Sequence, residues 1–155
     1  TRRSSDLTFG DASTFSFFGN KTITTGEGGM VLFKSKEIRD RAIILRDHGM
    51  SPTKRYWHEV IGFNFRLTNI QAAIGVAQLE RLDEIVRKKI HIGDFYSDIL
   101  RNNNIVAQVP KSHSAVKNSY WIFSFLLKKK INRDQMISKL LEHGIETRPV
   151  FFSTS

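Results

Sequence analysis

The sequence predicts an α/β fold, and three patterns carry that expectation. The run Phe15-Ser16-Phe17-Phe18 is apolar, is closed by Gly19, and reads as a buried strand. Asn20 and Lys21 stand at its end, where α/β enzymes place their chemistry, at the carboxyl edge of the sheet. Beyond them, β-prone runs alternate with amphipathic helical periods, each bounded by capping residues or glycine.

The elements follow in order. Residues 1–13 are polar and read as a loop entering the strand. Along Thr14–Phe18 the period-two alternation puts Phe15 and Phe17 on one face and Ser16 on the other. Thr22–Thr25 and Met30–Phe33 flank Gly26-Glu27-Gly28-Gly29 and read as a hairpin whose glycines supply positive φ. This glycine cluster lacks the G-x-G-x-x-G spacing of a dinucleotide fingerprint. A helix is predicted from about Lys36 to His48, with Ser35 as cap, Glu37 and Asp40 at its positive end, and Gly49 as stop. Ile38, Ala42 and Leu45 give it one buried stripe.

Residues 49–66 form a long irregular segment carrying Arg55, Tyr56, Trp57, His58, Asn64 and Arg66, groups able to bind phosphate or stack on rings. Thr68 with Gln71 reads as a capping box. The helical pattern then runs to about Asn102, long enough to predict a bend near Asp83–Lys89, where the domain boundary is placed. Ile105–Val109 reads as a strand and, after a polar loop, Tyr120–Leu127 as another. Asn132 and Gln135 cap a helix that Gly144 ends, and Ile145–Phe152 reads as a returning strand.

Composition excludes several classes. The chain holds no cysteine, which rules out disulfides and thiolate metal sites and fits a cytoplasmic protein. No apolar run approaches bilayer length, and the N-terminus is not a signal peptide. The net charge of +9 raises a nucleic-acid-binding module as an alternative. Its basic residues are scattered, however, with short clusters at Arg87-Lys88-Lys89 and Lys128-Lys129-Lys130, and no nucleic-acid-binding motif accompanies them.

The segment GDASTFSFFGNKTITTGEGGMV resembles the active-site stretch of the DegT/DnrJ/EryC1/StrS family of pyridoxal-phosphate-dependent sugar aminotransferases. The likeness continues through RDHGMSPTKRYWHEVIGFNFRLTNIQAAIGVAQLERLD and returns at HGIETRPVF, leaving only about residues 90–118 unassigned. Within the family, YWHEVIGFNFRLTNI is most similar to members that aminate GDP-4-keto-6-deoxymannose.

The resemblance implies an aspartate-aminotransferase-like (fold type I) fragment. Residues 1–85 would be the end of the large cofactor-binding domain and residues 86–155 part of the small C-terminal α+β domain. It implies that Lys21 holds pyridoxal 5'-phosphate through its amine and moves protons, and that Ser16 binds the cofactor phosphate. Family members are homodimers with shared active sites, so Asn64, with Arg66 as the second choice, is expected to reach the phosphate across the interface. Trp57, His58 and Arg148 are the expected contacts to the nucleotide sugar, and glutamate is the expected amino donor. The family's aspartate for the pyridinium nitrogen and its ring-stacking aromatic match no residue here; Asp6 and Asp11 are not substitutes. Family members that dehydrate rather than aminate carry histidine at the position of Lys21, which sets that alternative apart.

Overall fold

The structure, a computed structural model, describes residues 10–111 and 117–151. The start of the expected entry loop, the middle of the expected polar loop and Phe152 lie outside these residues. The chain divides between Asp83 and Glu84 into two compact units.

In the first unit, β1 (Ala12–Ser16) pairs antiparallel with β2 (Gly29–Phe33), in register from Ala12 opposite Phe33 to Ser16 opposite Gly29. The predicted alternation holds: Phe15 and Phe17 are half-buried, while Ser16 is exposed on the other face. The strand itself is not buried, since β1 and β2 form a two-stranded ribbon that leaves Phe18, Met30 and Val31 exposed. The hairpin also differs from the predicted one. Met30–Phe33 pairs with β1, and Thr22–Thr25 belongs to the connecting loop. The threonine hydroxyls explain this, because they bond the loop's own backbone and so compete with ladder formation.

Helix α1 (Lys36–Arg46) starts where Ser35 Oγ accepts the Ile38 N–H, as predicted. It ends through His48, which adopts φ 59°, and the Gly49 N–H, which reaches the Ile44 carbonyl at 2.9 Å. The expected buried stripe is open: Ile38 is exposed, and Ala42 and Leu45 line a shallow hollow with Arg41. Helix α2 (Asn69–Glu80) opens on the complete Thr68–Gln71 capping box. The expected bend falls earlier than predicted, at Arg81, which caps α2 before α3 (Leu82–Arg101) begins.

The second unit packs around Val106, Val109 and Tyr120, its buried apolar side chains among the described residues. β3 (Val106–Gln108) pairs antiparallel with β4 (Leu126–Leu127) across an irregular register. The strand predicted over Tyr120–Leu127 is thus only its last two residues. Tyr120 takes φ 46°, outside the β region, and its ring lies against Gly93 of α3, so close that a Cβ there would overlap it. Tyr120 and Tyr96 also pack on Phe123, and this tertiary packing overrides the β preference of the run. Helix α4 (Arg133–Glu142) opens with Asn132 Oδ1 accepting from the Asp134 and Gln135 N–H groups. It closes in a Schellman turn at Gly144, φ 76°. Residues 145–151 carry no strand, because no ladder partner meets them among the described residues. No helix among the described residues is long and apolar enough to cross a membrane.

Candidate active site

The loop of residues 17–28 between β1 and β2 carries Lys21. It is tied at its base. The Phe17 N–H donates to the Gly28 carbonyl at 2.8 Å, and the Phe17 carbonyl accepts from the Thr25 N–H and from Thr24 Oγ1, both at 3.0 Å. Thr24 Oγ1 also accepts the Gly26 N–H at 2.8 Å, and Thr25 Oγ1 donates to the Glu27 carbonyl at 2.6 Å. Inside this frame the Lys21 N–H donates to the Phe18 carbonyl at 2.9 Å, so the chain turns sharply as it leaves the strand direction. Lys21 is half-buried. Ser16 Oγ accepts the Phe18 N–H at 3.3 Å, which fixes the hydroxyl at the other end of the same turn.

Helix α2 closes over this loop. Gln71 Nε2 donates to the Glu27 carbonyl at 3.2 Å, while Gln71 Oε1 accepts from the Thr68 N–H at 2.9 Å. Thr25 is buried, and a Cβ on Gly75 would stand 3.0 Å from its methyl group. A Cβ on Gly28, which adopts φ 142°, would overlap Thr25 Oγ1 and the Leu67 side chain. Glycine at these two positions therefore lets loop and helix approach closely.

The irregular segment after α1 is an ordered double crossing. The His48 N–H donates to the Phe63 carbonyl, Phe63 to Leu45 and Phe65 to Arg46, at 2.9, 2.7 and 3.0 Å. Gly49 and Gly62 cross backbone to backbone, and a Cβ on either would overlap the other strand of the crossing. Asn64 is exposed and bridges Asp47 through its backbone. The Arg66 guanidinium stands 3.1 Å from Asp47 Oδ1. That oxygen is shielded from solvent and has no hydrogen-bond partner, so it receives the charge off the bonding direction. Phe63 and Phe65 stack at 5.0 Å.

The other expected contacts divide. Trp57 is 54% exposed, and the Lys54 ammonium sits 4.1 Å above its ring. His58 Nδ1 donates to the His48 carbonyl at 2.9 Å, and the residue is exposed. Trp57 and His58 thus share one loop with Asn64 and Arg66 in the first unit. Arg148 belongs to the second unit, where its guanidinium pairs with Glu146 at 2.9 Å. Sequence reasoning missed Asp47 and the second bond of Gln71. It also missed the threonine staples, although four hydroxyl-bearing or β-branched residues in Thr22-Ile23-Thr24-Thr25 are a visible sign of local side-chain bonding.

The family model for the DegT/DnrJ/EryC1/StrS aminotransferases matches residues 7–155. The chain is 48% identical, over 94% of its length, to the GDP-perosamine synthase of Escherichia coli O157:H7, and 46% identical to that of Vibrio cholerae. It spans 39% and 40% of those two proteins, or about two fifths of the curated relatives it matches. The solved aminotransferase TlmJ from Streptoalloteichus hindustanus superposes with a TM-score of 0.85 at 28% identity, over 94% of this chain and 39% of that one. This likeness to solved family aminotransferases is the fold type I architecture that the resemblance implied. With a family match over nearly its whole length and a superposable fold, the chain belongs to the DegT/DnrJ/EryC1/StrS aminotransferase family.

Proposed function

We propose that the whole protein is a pyridoxal-phosphate-dependent aminotransferase that moves an amino group from an amino acid, glutamate, to GDP-4-keto-6-deoxymannose, giving GDP-perosamine. The observation that carries this reading is Lys21 at the turn leaving β1, one turn from the fixed Ser16 hydroxyl. A primary amine and a hydroxyl held at the two ends of one turn are the donor types that fit an aldehyde and a phosphate. The choice of sugar is supported by the likeness to two GDP-perosamine synthases.

Bound there, the cofactor supplies the electron sink for carbanion chemistry. The chain's residues do the rest. Lys21 Nζ would hold the cofactor aldehyde and, as a free amine, would take and return a proton as general base. Ser16 Oγ donates to the phosphate. Asn64 reaches a phosphate in the neighbouring subunit of a homodimer, and Arg66 supports it. Trp57 and His58 meet the nucleotide sugar, with Arg148 a third contact to it. In this reading residues 1–85 belong to the large domain and residues 86–155 to the small one. The protein would be cytoplasmic and would serve O-antigen or other polysaccharide synthesis.

A dehydratase reading draws support from solved structures. A solved variant of GDP-4-keto-6-deoxymannose-3-dehydratase with bound GDP-perosamine superposes with a TM-score of 0.80 at 26% identity, over 90% of this chain and 40% of that one. Lysine at position 21, where the dehydrating members carry histidine, favours amination. Borohydride reduction of the full-length protein with its cofactor, followed by peptide mapping, tests the assignment. The phosphopyridoxyl label is expected on Lys21, and a label confined to another lysine would overturn it.

A further inference from the structure

We propose that Gln71 is a positioning residue that sets the Lys21 loop, in addition to capping its own helix. The proposal rests on the reading of Lys21 given above, but its first test does not. The amide of Gln71 is used at both ends. Oε1 accepts from the Thr68 N–H at 2.9 Å and from Thr68 Oγ1 at 3.0 Å, which closes the capping box. Nε2 donates to the Glu27 carbonyl at 3.2 Å, forty-four residues away in sequence.

Glu27 is a well-chosen anchor point. Its carbonyl also accepts from Thr25 Oγ1, and Thr25 is buried. The Thr25 N–H in turn bonds the Phe17 carbonyl, and the Phe17 N–H bonds Gly28. A hydrogen bond from Gln71 therefore acts on the staple that closes the loop on both sides of Lys21. The close packing of Gly75 and Leu67 around Thr25 and Gly28 leaves the loop little room to shift against α2. Through this link the entry of α2, and with it the Gly62–Arg66 segment, is tied to the lysine loop.

The test uses Gln71→Glu in the full-length protein. A glutamate at this position keeps an acceptor for the Thr68 N–H, so the helix cap survives. It loses the donor to Glu27 and sets a carboxylate oxygen against that carbonyl. In the cofactor-free protein, hydrogen exchange across residues 17–28 should accelerate about tenfold, as loss of one hydrogen bond allows, while α2 and Tm hold. In the loaded protein kcat should fall about tenfold with KM for the amino donor unchanged, the signature of a misplaced amine rather than weakened binding. Unchanged exchange over residues 17–28 overturns the proposal. So does acceleration spread equally over the loop and α2 together with a lower Tm, because that is the signature of a cap alone. Should Gln71→Glu prove too unstable, Gln71→Met is compared with Thr68→Ala, which loses the cap but keeps the link. Faster loop exchange in Gln71→Met than in Thr68→Ala supports the link, and equal exchange overturns it. Label on Lys21 with no loop effect would leave the aminotransferase reading standing and remove only the role of Gln71.

Discussion

Replacing Arg66 by methionine should loosen the double crossing that presents Asn64. In the structure the guanidinium lies 3.1 Å from Asp47 Oδ1, with the two side chains 52% and 35% exposed. At that exposure the pair itself is worth about 1 kcal/mol at most, since water screens it. The larger effect is on what remains. Asp47 Oδ1 is out of contact with solvent and without a hydrogen bond, so removing its cation strands a carboxylate oxygen at a cost of about 1–3 kcal/mol. Arg66→Met is therefore expected to cost about 2 kcal/mol locally, and Asp47→Asn about half that, because a neutral amide is easier to leave there. The double variant should cost less than the sum, with a coupling of about 1 kcal/mol.

The fitting assay is native-state hydrogen exchange at His48 and Phe65, whose N–H groups bond the Phe63 and Arg46 carbonyls that hold the crossing. Each 1.4 kcal/mol lost locally corresponds to about tenfold faster exchange at these amides. Strict additivity, with a coupling below about 0.3 kcal/mol, would refute the idea that this ion pair holds the segment. The same variants sort the two roles of Arg66. If Arg66 touches a phosphate, Arg66→Met weakens cofactor binding well beyond Asp47→Asn. If it only clamps the loop, the two variants lower that affinity alike.

Gly62→Ala should also destabilise this segment, because its Cβ would overlap the Gly49 backbone. A loss of about 1–3 kcal/mol, read as lower Tm and faster exchange at His48, is expected. Mixing inactive full-length Lys21→Ala and Asn64→Ala proteins under subunit exchange should restore activity if Asn64 serves the neighbouring site, and no recovery despite confirmed exchange would refute that. The full-length protein should favour GDP-4-keto-6-deoxymannose over dTDP-4-keto-6-deoxyglucose in kcat/KM with glutamate as donor. Trp57→Ala should narrow that preference if the ring meets the nucleotide sugar.

The helix ends were legible because their rules are local. Ser35, Thr68 with Gln71, Asn132 and Gly144 each act within one turn, and each stands where the sequence put it. The strand partners were not legible in the same way. Met30–Phe33 is equally β-prone whichever segment it joins, and only the staples of Thr24 and Thr25 remove Thr22–Thr25 from the competition. At Tyr120 the deciding residue is Gly93, whose missing side chain makes room for the ring and so draws the chain out of β geometry. Nothing local in the run Tyr120–Leu127 reports a glycine on another element.

The candidate site divides along the same line, and one residue shows why. The faces of Ser16 and Phe15 follow from a period of two, readable from five residues. Gln71 is equally visible as the third residue of a helix after Thr68, and a cap alone accounts for its position. It does not account for glutamine. A capping box accepts glutamate as readily, and a carboxylate at the positive end of a helix gains from the macrodipole as well. Only the amide carries a donor, and the donor is what reaches Glu27. The identity of the side chain thus holds information that its position does not, and it points at the loop that carries Lys21.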